Sequence, residues 1–239
     1  MPPIVVVPTY NEKPNIEALI SRVLGMDPAI HVLVVDDQSP DGTAEIVRRI
    51  SQDSPRVHLV SRSGKRGRGL AGITGFQYAV REGFDPILEM DADFSHDPND
   101  IPRFLGASRE SDVVIGSRFV PGGGESGRGL HRRLLSRAAN QFTRTLLGLP
   151  IQDCTSGFRC FRRQVLGSLP LHDMFSEGPS IIAEILCACK ARDYKIREIP
   201  ILFKNRNLGK SKLNPWKLIV VLLNVVRVAL QHSRGSISK

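Results

Sequence analysis

The sequence predicts an α/β domain with an open, doubly wound, mainly parallel sheet flanked by helices. Three observations predict it. Short β-branched runs alternate with helical patterns through the first half of the chain. Polar and acidic clusters stand just past the ends of three of those runs. The 239 residues are 41% hydrophobic and 24% charged, near globular averages, which argues against disorder, collagen and a polytopic membrane protein. That length suits one large domain or one domain with a small appendage.

Strands are expected at Ile4 to Val7, Val32 to Val35, Val57 to Val60, Ile87 to Met90 and Val113 to Gly116. Between the first two, Ile16, Leu19, Ile20, Val23 and Leu24 fall at the i, i+3, i+4, i+7, i+8 spacing of a helix with one buried stripe. Ala44, Ile46, Val47 and Ile50 form a second stripe, and helices are expected over Leu70 to Glu82 and Ile101 to Ser108. Past the Gly-rich stretch Val120 to Gly129, read as a mobile loop over a site, the pattern lengthens to helices at His131 to Leu147 and Pro179 to Arg192. A strand is expected near Ile196 to Phe203. In the helix after the Gly-rich stretch, Leu134, Leu135, Ala138, Ala139 and Phe142 read as the core-facing stripe.

The last helix, Asn214 to Gln231, starts with Asn at the N-cap and Pro at the first helical position. Lys217, Asn224, Arg227 and Gln231 share one stripe and nearly all the rest is apolar, so something must cover it. The run Leu218 to Leu230 is short for a membrane span and is interrupted by Asn224 and Arg227, which leaves docking on the domain or lying in a membrane interface. The expected organisation is a catalytic domain over 1–212 and an apolar, basic helix and tail over 213–239.

Charge sharpens the membrane reading. The chain has 33 Lys and Arg against 24 Asp and Glu, and residues 190–239 hold twelve of the former against two of the latter. The first 189 residues are therefore close to neutral, with 21 against 22. A basic C-terminal segment beside an apolar helix carries the two signals of a peripheral protein on anionic lipid, the anionic membrane surface being the expected partner. The four cysteines include no C-x-x-C pair, and the apolar run at the N-terminus is too short for a signal segment, so a cytoplasmic location is expected.

The chemistry-bearing clusters are Tyr10-Asn11-Glu12, Asp36-Asp37 and Asp91-Ala92-Asp93. Ligands of open α/β sheets bind at the carboxyl edge where these stand, although any one cluster is also a plausible helix cap. Two carboxylates one residue apart suit a hard divalent cation that completes its shell with water and substrate phosphate oxygens. Neither G-x-x-x-x-G-K-[ST] nor a strand-borne G-x-G-x-x-G is present, so a P-loop or dinucleotide fold is unsupported. Ser63 to Gly69 looks superficially like an RNA-binding Arg/Gly run. It is a single copy without interleaved aromatics, and acids on the ligand edge repel a polyanion, so no nucleic-acid partner is expected.

Pro8 to Glu12, Val35 to Thr43 with its Ser39-Pro40-Asp41-Gly42-Thr43 element, Asp91 to His96, Ser117-Arg118 and Asp153 to Arg159 resemble, in the same order, motifs of the dolichol-phosphate mannose synthases of glycosyltransferase family 2. The resemblance runs from residue 4 to about Lys212. It implies a GT-A (Rossmann-like) fold, transfer of mannose from GDP-mannose to a dolichyl or polyprenyl monophosphate, and Mg²⁺ or Mn²⁺ as cofactor. By the same resemblance Pro8, Tyr10, Glu12, Val35 and Asp37 bind the nucleotide, and Asp91, Ala92 and Asp93 bind the diphosphate and metal with Ser95 adjoining. Arg118, Arg206 and Lys212 correspond to phosphate contacts, with Asp91, Asp93 and Arg118 the catalytic set. Arg132 and Ser136 correspond to acceptor-phosphate contacts. Spacing agrees, since Arg132 and Ser136 are i, i+4 on one helix and face the same way; a solvated face is the competing reading of Arg132. The segment Gly178 to Glu184 departs from the family's usual Gly-Tyr-Xaa-Phe-Gln-Xaa-Glu element. The competing functional readings are the same transfer from UDP-glucose or another UDP-sugar, a nucleic-acid-binding module, and a sugar nucleotidyltransferase. An anchoring membrane subunit is compatible with all the lipid readings.

Overall fold

The computed structural model describes residues 1–127, 129–176, 178–205 and 215–235, with side chains for all of these except 132, 215–219 and 232–235. The alternating pattern of the first half becomes β1 (Ile4–Thr9), α1 (Lys13–Leu24), β2 (His31–Asp36), α2 (Thr43–Asp53), β3 (Val57–Ser61), α3 (Arg68–Arg81), β4 (Ile87–Glu89), α4 (Ile101–Ala107) and β5 (Val113–Ser117). The remainder folds as β6 (Gly124–Ser126), α5 (Leu130–Leu147), β7 (Arg159–Phe161), α6 (Arg163–Ser168), α7 (Ile181–Lys190), β8 (Ile196–Pro200), β9 (Leu202–Lys204) and α8 (Pro215–Gly235).

Seven strands form one sheet in the order β3-β2-β1-β4-β7-β5-β8, in which β7 runs antiparallel to both β4 and β5 and the other pairs are parallel. Both faces are covered, as buried strands of Val, Ile and Leu require. Ile16, Leu19, Val47 and Phe104 from α1, α2 and α4 close one face. Ala71, Phe76, Leu166, Ile185, Val225 and Val228 from α3, α6, α7 and α8 close the other. Helix α3 approaches β1 and β2 so closely that a Cβ on Gly75 would stand 2.3 Å from Val6 Cγ1 and 3.1 Å from Val35 Cγ2.

Three expectations need correction. The strand expected over 196–203 is two strands in different sheets, because β8 pairs with β5 while β9 turns away to pair with β6. That same pairing makes the middle of the Gly-rich stretch a strand, since Gly124, Glu125 and Ser126 align with Leu202, Phe203 and Lys204. The third concerns α5, whose apolar stripe is not core-packed. Leu130, Leu134, Leu135, Phe142 and Leu146 are exposed, Leu134 at 56% and Leu135 at 53%. Its buried face is Asn140 and Thr143, with Leu147 at the C-terminal end reaching the core. Asn140 donates to the Gln152 carbonyl and accepts the Cys154 N–H at 2.9 Å, and the Thr143 hydroxyl donates to the Ala139 carbonyl.

Helix α8 packs against α5 and α7 and buries Val225 and Val228, so part of its apolar surface docks on the domain. Two residues of its polar stripe make contacts there. Asn224 Nδ2 donates to Ser180 Oγ at 3.2 Å, and the Arg227 guanidinium lies 4.4 Å from the Phe175 ring centre. Val220, Leu223, Val226 and Leu230 remain exposed. The expected N-cap Asn214 and the 212/213 boundary lie outside the described residues.

All four cysteines are free and buried. Burial, with Asp153 beside it, pushes the Cys154 thiol up to about 12, and burial does the same to Cys189 and takes Cys187 up to about 11. Such thiols are inert.

Candidate active site

The sheet's strand order reverses between β1 and β4. From β1 the chain steps to β2 on one side, while β4 lies on the other, which opens a crevice at their carboxyl ends. Thr9 stands level with Asp36, and the Met90 N–H donates to the Val6 carbonyl at 3.1 Å, so residues 10–12, 37–42 and 91–97 emerge together. One non-glycine residue in each of these loops takes a left-handed backbone: Asn11 (φ 60), Gln38 (φ 64) and Phe94 (φ 58). Backbone of that kind persists where surrounding bonds over-determine it, and it collects at functional sites.

Those bonds are short and local. Asp36 accepts from the Thr9 hydroxyl at 3.0 Å, the Ser39 N–H at 2.9 Å and the Ser39 hydroxyl at 2.6 Å. Ser39 Oγ in turn accepts the Asn11 N–H at 2.9 Å, tying the first loop to the second. The Glu12 N–H donates to Thr43 Oγ1 at 3.1 Å, while the Glu12 carboxylate accepts from Asn15 Nδ2 at 2.9 Å. Asp37 is nearly buried, pairs with Arg62 and accepts the Gly67 N–H at 2.7 Å, so it organises the loop after β3. Tyr10 receives a 2.6 Å bond from Arg66, whose guanidinium carbon lies 5.0 Å from the ring centre.

The fourth group of residues sits at the end of β4. Asp91 accepts Arg68 Nε and Nη2 on Oδ1 at 3.1 and 2.6 Å, and its N–H donates to His96 Nδ1 at 3.1 Å. Burial holds the His96 pKa below its ordinary value, so the ring is the neutral acceptor that this bond requires. Asp93 Oδ1 accepts the Ser95 N–H at 3.1 Å. Ser95 Oγ is buried and, among the described residues, has no hydrogen-bond partner, which leaves a polar atom unsatisfied beside Asp93. Two carboxylates and this hydroxyl are oxygen donors of the type that suits Mg²⁺ or Mn²⁺. Among the described residues no group of three His, Cys, Asp or Glu side chains is arranged to hold a metal alone. The set therefore fits an ion that takes the rest of its shell from water and substrate oxygens.

The structure brings Tyr10, Glu12, Asp37, Asp91, Ala92, Asp93 and Ser95 to one edge, with Pro8 inside β1 leading to it. Val35 is different: its side chain is fully buried against the Gly75 position of α3 and is not open to a ligand. Arg118 is nearly buried and already committed to protein partners. Its Nε and Nη2 bond both oxygens of Asp153 at 2.7 and 2.8 Å, Nη2 also reaches Thr155 Oγ1 at 2.7 Å, and Nη1 reaches Glu125 at 3.2 Å. That placement makes it a brace between the loops after β5 and before β7. Ser136 is half-buried on α5, whereas the Arg132 side chain, Arg206 and Lys212 lie outside the described residues. Sequence reasoning missed Arg62, Arg66 and Arg68. Their signal was present as three arginines directly after a strand, of which Arg66 and Arg68 were weighed only as part of an RNA-binding Arg/Gly run.

Residues 4–169 match the family described as Glycosyl transferase family 2. The polyprenol monophosphomannose synthase of Mycolicibacterium smegmatis is 37% identical over 238 residues, covering 97% of this chain and 90% of the relative. The undecaprenyl-phosphate mannosyltransferase of Micrococcus luteus is 37% identical over 225 residues, covering 94% of this chain and 93% of the relative. Among solved structures, the glucosyl-3-phosphoglycerate synthase of Mycobacterium tuberculosis in complex with Mn²⁺, UDP and glucosyl-3-phosphoglycerate superposes with a TM-score of 0.69 at 21% identity. That match covers 96% of this chain and 79% of the other. It is a likeness of fold.

Proposed function

Because the chain belongs to glycosyl transferase family 2, we propose that it transfers mannose from GDP-mannose to a polyprenyl monophosphate, giving polyprenyl-phosphate β-mannose and GDP. The observation that carries this reading is the 37% identity, over nearly the whole chain, to two relatives named for mannosyl transfer to polyprenol phosphates. The switch-point crevice with its paired carboxylates supplies the matching chemistry.

An oxygen of the acceptor phosphate attacks the anomeric carbon as the bond to the donor's β-phosphate oxygen breaks, and the electron pair leaves with the diphosphate. Attack opposite the leaving group inverts the centre. The acceptor oxygen is already anionic, so no side chain need remove a proton, and the protein's work is orientation, charge stabilisation and exclusion of water. A divalent ion, when bound, supplies Lewis-acid stabilisation of the departing diphosphate. Asp91 and Asp93, with Ser95 Oγ, would hold it. His96 keeps the Asp91 backbone in place, and Tyr10, Glu12 and Asp37 line the nucleotide end of the crevice. Arg206 and Lys212, and Arg132 with Ser136, remain this reading's diphosphate and acceptor contacts.

The acceptor's lipid tail implies a bilayer, and the surface of the protein offers a face for one. The exposed apolar residues of α5 and α8 belong to two helices that touch, and α8 lies in the basic C-terminal segment. Arg137 on α5 and Arg227 on α8, both exposed, would meet like charges across a self-paired interface but anionic head groups on a membrane. The protein then sits peripherally on the cytosolic face. Among the described residues no helix is long and apolar enough to cross a membrane.

The test is transfer of label from GDP-[¹⁴C]mannose into an organic-extractable product, using purified protein, polyprenyl phosphate and Mn²⁺, with UDP-glucose in parallel. Label from GDP-mannose alone is the expected result. Label only from UDP-glucose replaces the donor, and label from neither, with folded protein in the presence of membranes, overturns the reading.

A further inference from the structure

Arg68 opens α3 directly after Gly67, whose N–H is pinned by Asp37. Its guanidinium lies between two carboxylates of one strand end. Nε and Nη2 bond Asp91 Oδ1, and Nη1 stands 3.4 Å from Glu89 Oε1. The side chain is only 28% exposed, and its tip rests on Gly157, where a Cβ would come within 2.7 Å of Nη2. A guanidinium keeps its proton throughout the working pH range, so the charge is permanent. The side chain is thus a built-in cation at the carboxylate edge.

A divalent ion arriving alone would meet two carboxylates, one of them already bonded to a guanidinium, and no third His, Cys, Asp or Glu ligand among the described residues. Like charge a few ångströms away weakens its binding, and the same charge attracts a diphosphate. We propose that Arg68 is a positioning residue that makes divalent-ion binding at Asp91 and Asp93 conditional on the nucleoside diphosphate, so that metal and donor enter the crevice together. The proposal rests on the family reading of the Asp91–Asp93 edge, and not on the identity of the sugar or the acceptor.

The experiment measures Mn²⁺ binding by electron paramagnetic resonance to the full chain, without nucleotide and with GDP or UDP, in the wild type, Arg68→Met and Arg68→Lys. In the wild type a nucleoside diphosphate should tighten Mn²⁺ binding about tenfold or more. Arg68→Met should bind Mn²⁺ alone about fivefold tighter and lose most of the nucleotide effect, while Arg68→Lys, which keeps the charge, should stay near the wild type. A merely structural arginine would not tighten metal binding on removal. Donor-free affinity that is unchanged or weaker in folded Arg68→Met overturns the proposal, as does wild-type binding indifferent to both nucleotides. Should Arg68→Met fail to fold, Gly157→Ala, which pushes the guanidinium aside, must shift donor-free affinity in the same direction, and no shift overturns it. Coupling with UDP but not GDP would sink the GDP-mannose reading and leave Arg68's role standing.

Discussion

Glu89 and Arg159 stand opposite each other in register across the antiparallel pair of β4 and β7 and form an ion pair closed off from solvent. The pair admits a charged residue into a central strand and connects, through Glu89 and Arg68, to Asp91 at the crevice. The cost of such a pair appears when one member is removed, because the other is left buried and uncompensated. Arg159→Met should therefore lower stability by about 3–5 kcal/mol, and Glu89→Leu/Arg159→Met by clearly less. Urea unfolding of the three proteins measures both.

Close packing of α3 on the sheet predicts a second loss. Gly75→Ala places a methyl group 2.3 Å from Val6 Cγ1, and neither buried strand can retreat without disturbing its neighbours. A destabilisation of roughly 1–3 kcal/mol is expected, read from the thermal midpoint or denaturant midpoint. Gly106→Ala, on open space, should cost nothing measurable.

At the crevice, Asp93→Asn keeps the shape but removes a charge where an oxygen-rich cation site is inferred. Mannosyl transfer should fall by about a hundredfold or more, with the circular dichroism spectrum unchanged. Turnover within a fewfold of the wild type would refute the metal-holding role of Asp93.

For the membrane face, Leu134→Ser and Phe142→Ser change residues that are 56% and 43% exposed, so stability should barely move. Flotation with anionic vesicles should weaken, by roughly 1 kcal/mol or more for each substitution. Retained flotation in the double variant would place the contact elsewhere.

His31 and His58 share a 2.9 Å bond between ring nitrogens on the strand side away from the crevice, and Tyr78 approaches His58 at 3.1 Å. Burial, then Arg56, lowers the His31 pKa; burial, then His31, lowers that of His58 against an opposing pull from Glu82. A histidine whose folded pKa is lowered binds fewer protons folded than unfolded, so its protonation opposes folding. Stability should be full above about pH 6.5, the unfolded value, and fall as the pH drops toward 5. His58→Gln should flatten that slope in urea midpoints taken at pH 8, 6.5 and 5.

The sequence by itself determined the parallel half of the sheet, the α1 and α2 stripes and the carboxylate edge. These rest on local periodicity and on strand ends, which are readable in short windows. The resemblance in motif order brought the family with them. Tertiary structure decided the rest. Strand β7 is three residues long and begins with an arginine, and it is a strand because β4 and β5 pair with it on both sides and Glu89 stands in register with the arginine. Arg68 acquires its place from Asp91, Glu89 and Gly157, which lie 21 to 89 residues away along the chain. Helix α5 shows the limit most clearly. Amphipathic spacing says that one face differs from the other, but which face is buried depends on what the helix meets. Here the domain offers the Gln152 carbonyl and the Cys154 N–H to Asn140, and so the face of Asn140, Thr143 and Leu147 turned inward while Leu130, Leu134, Leu135 and Leu146 were left outside.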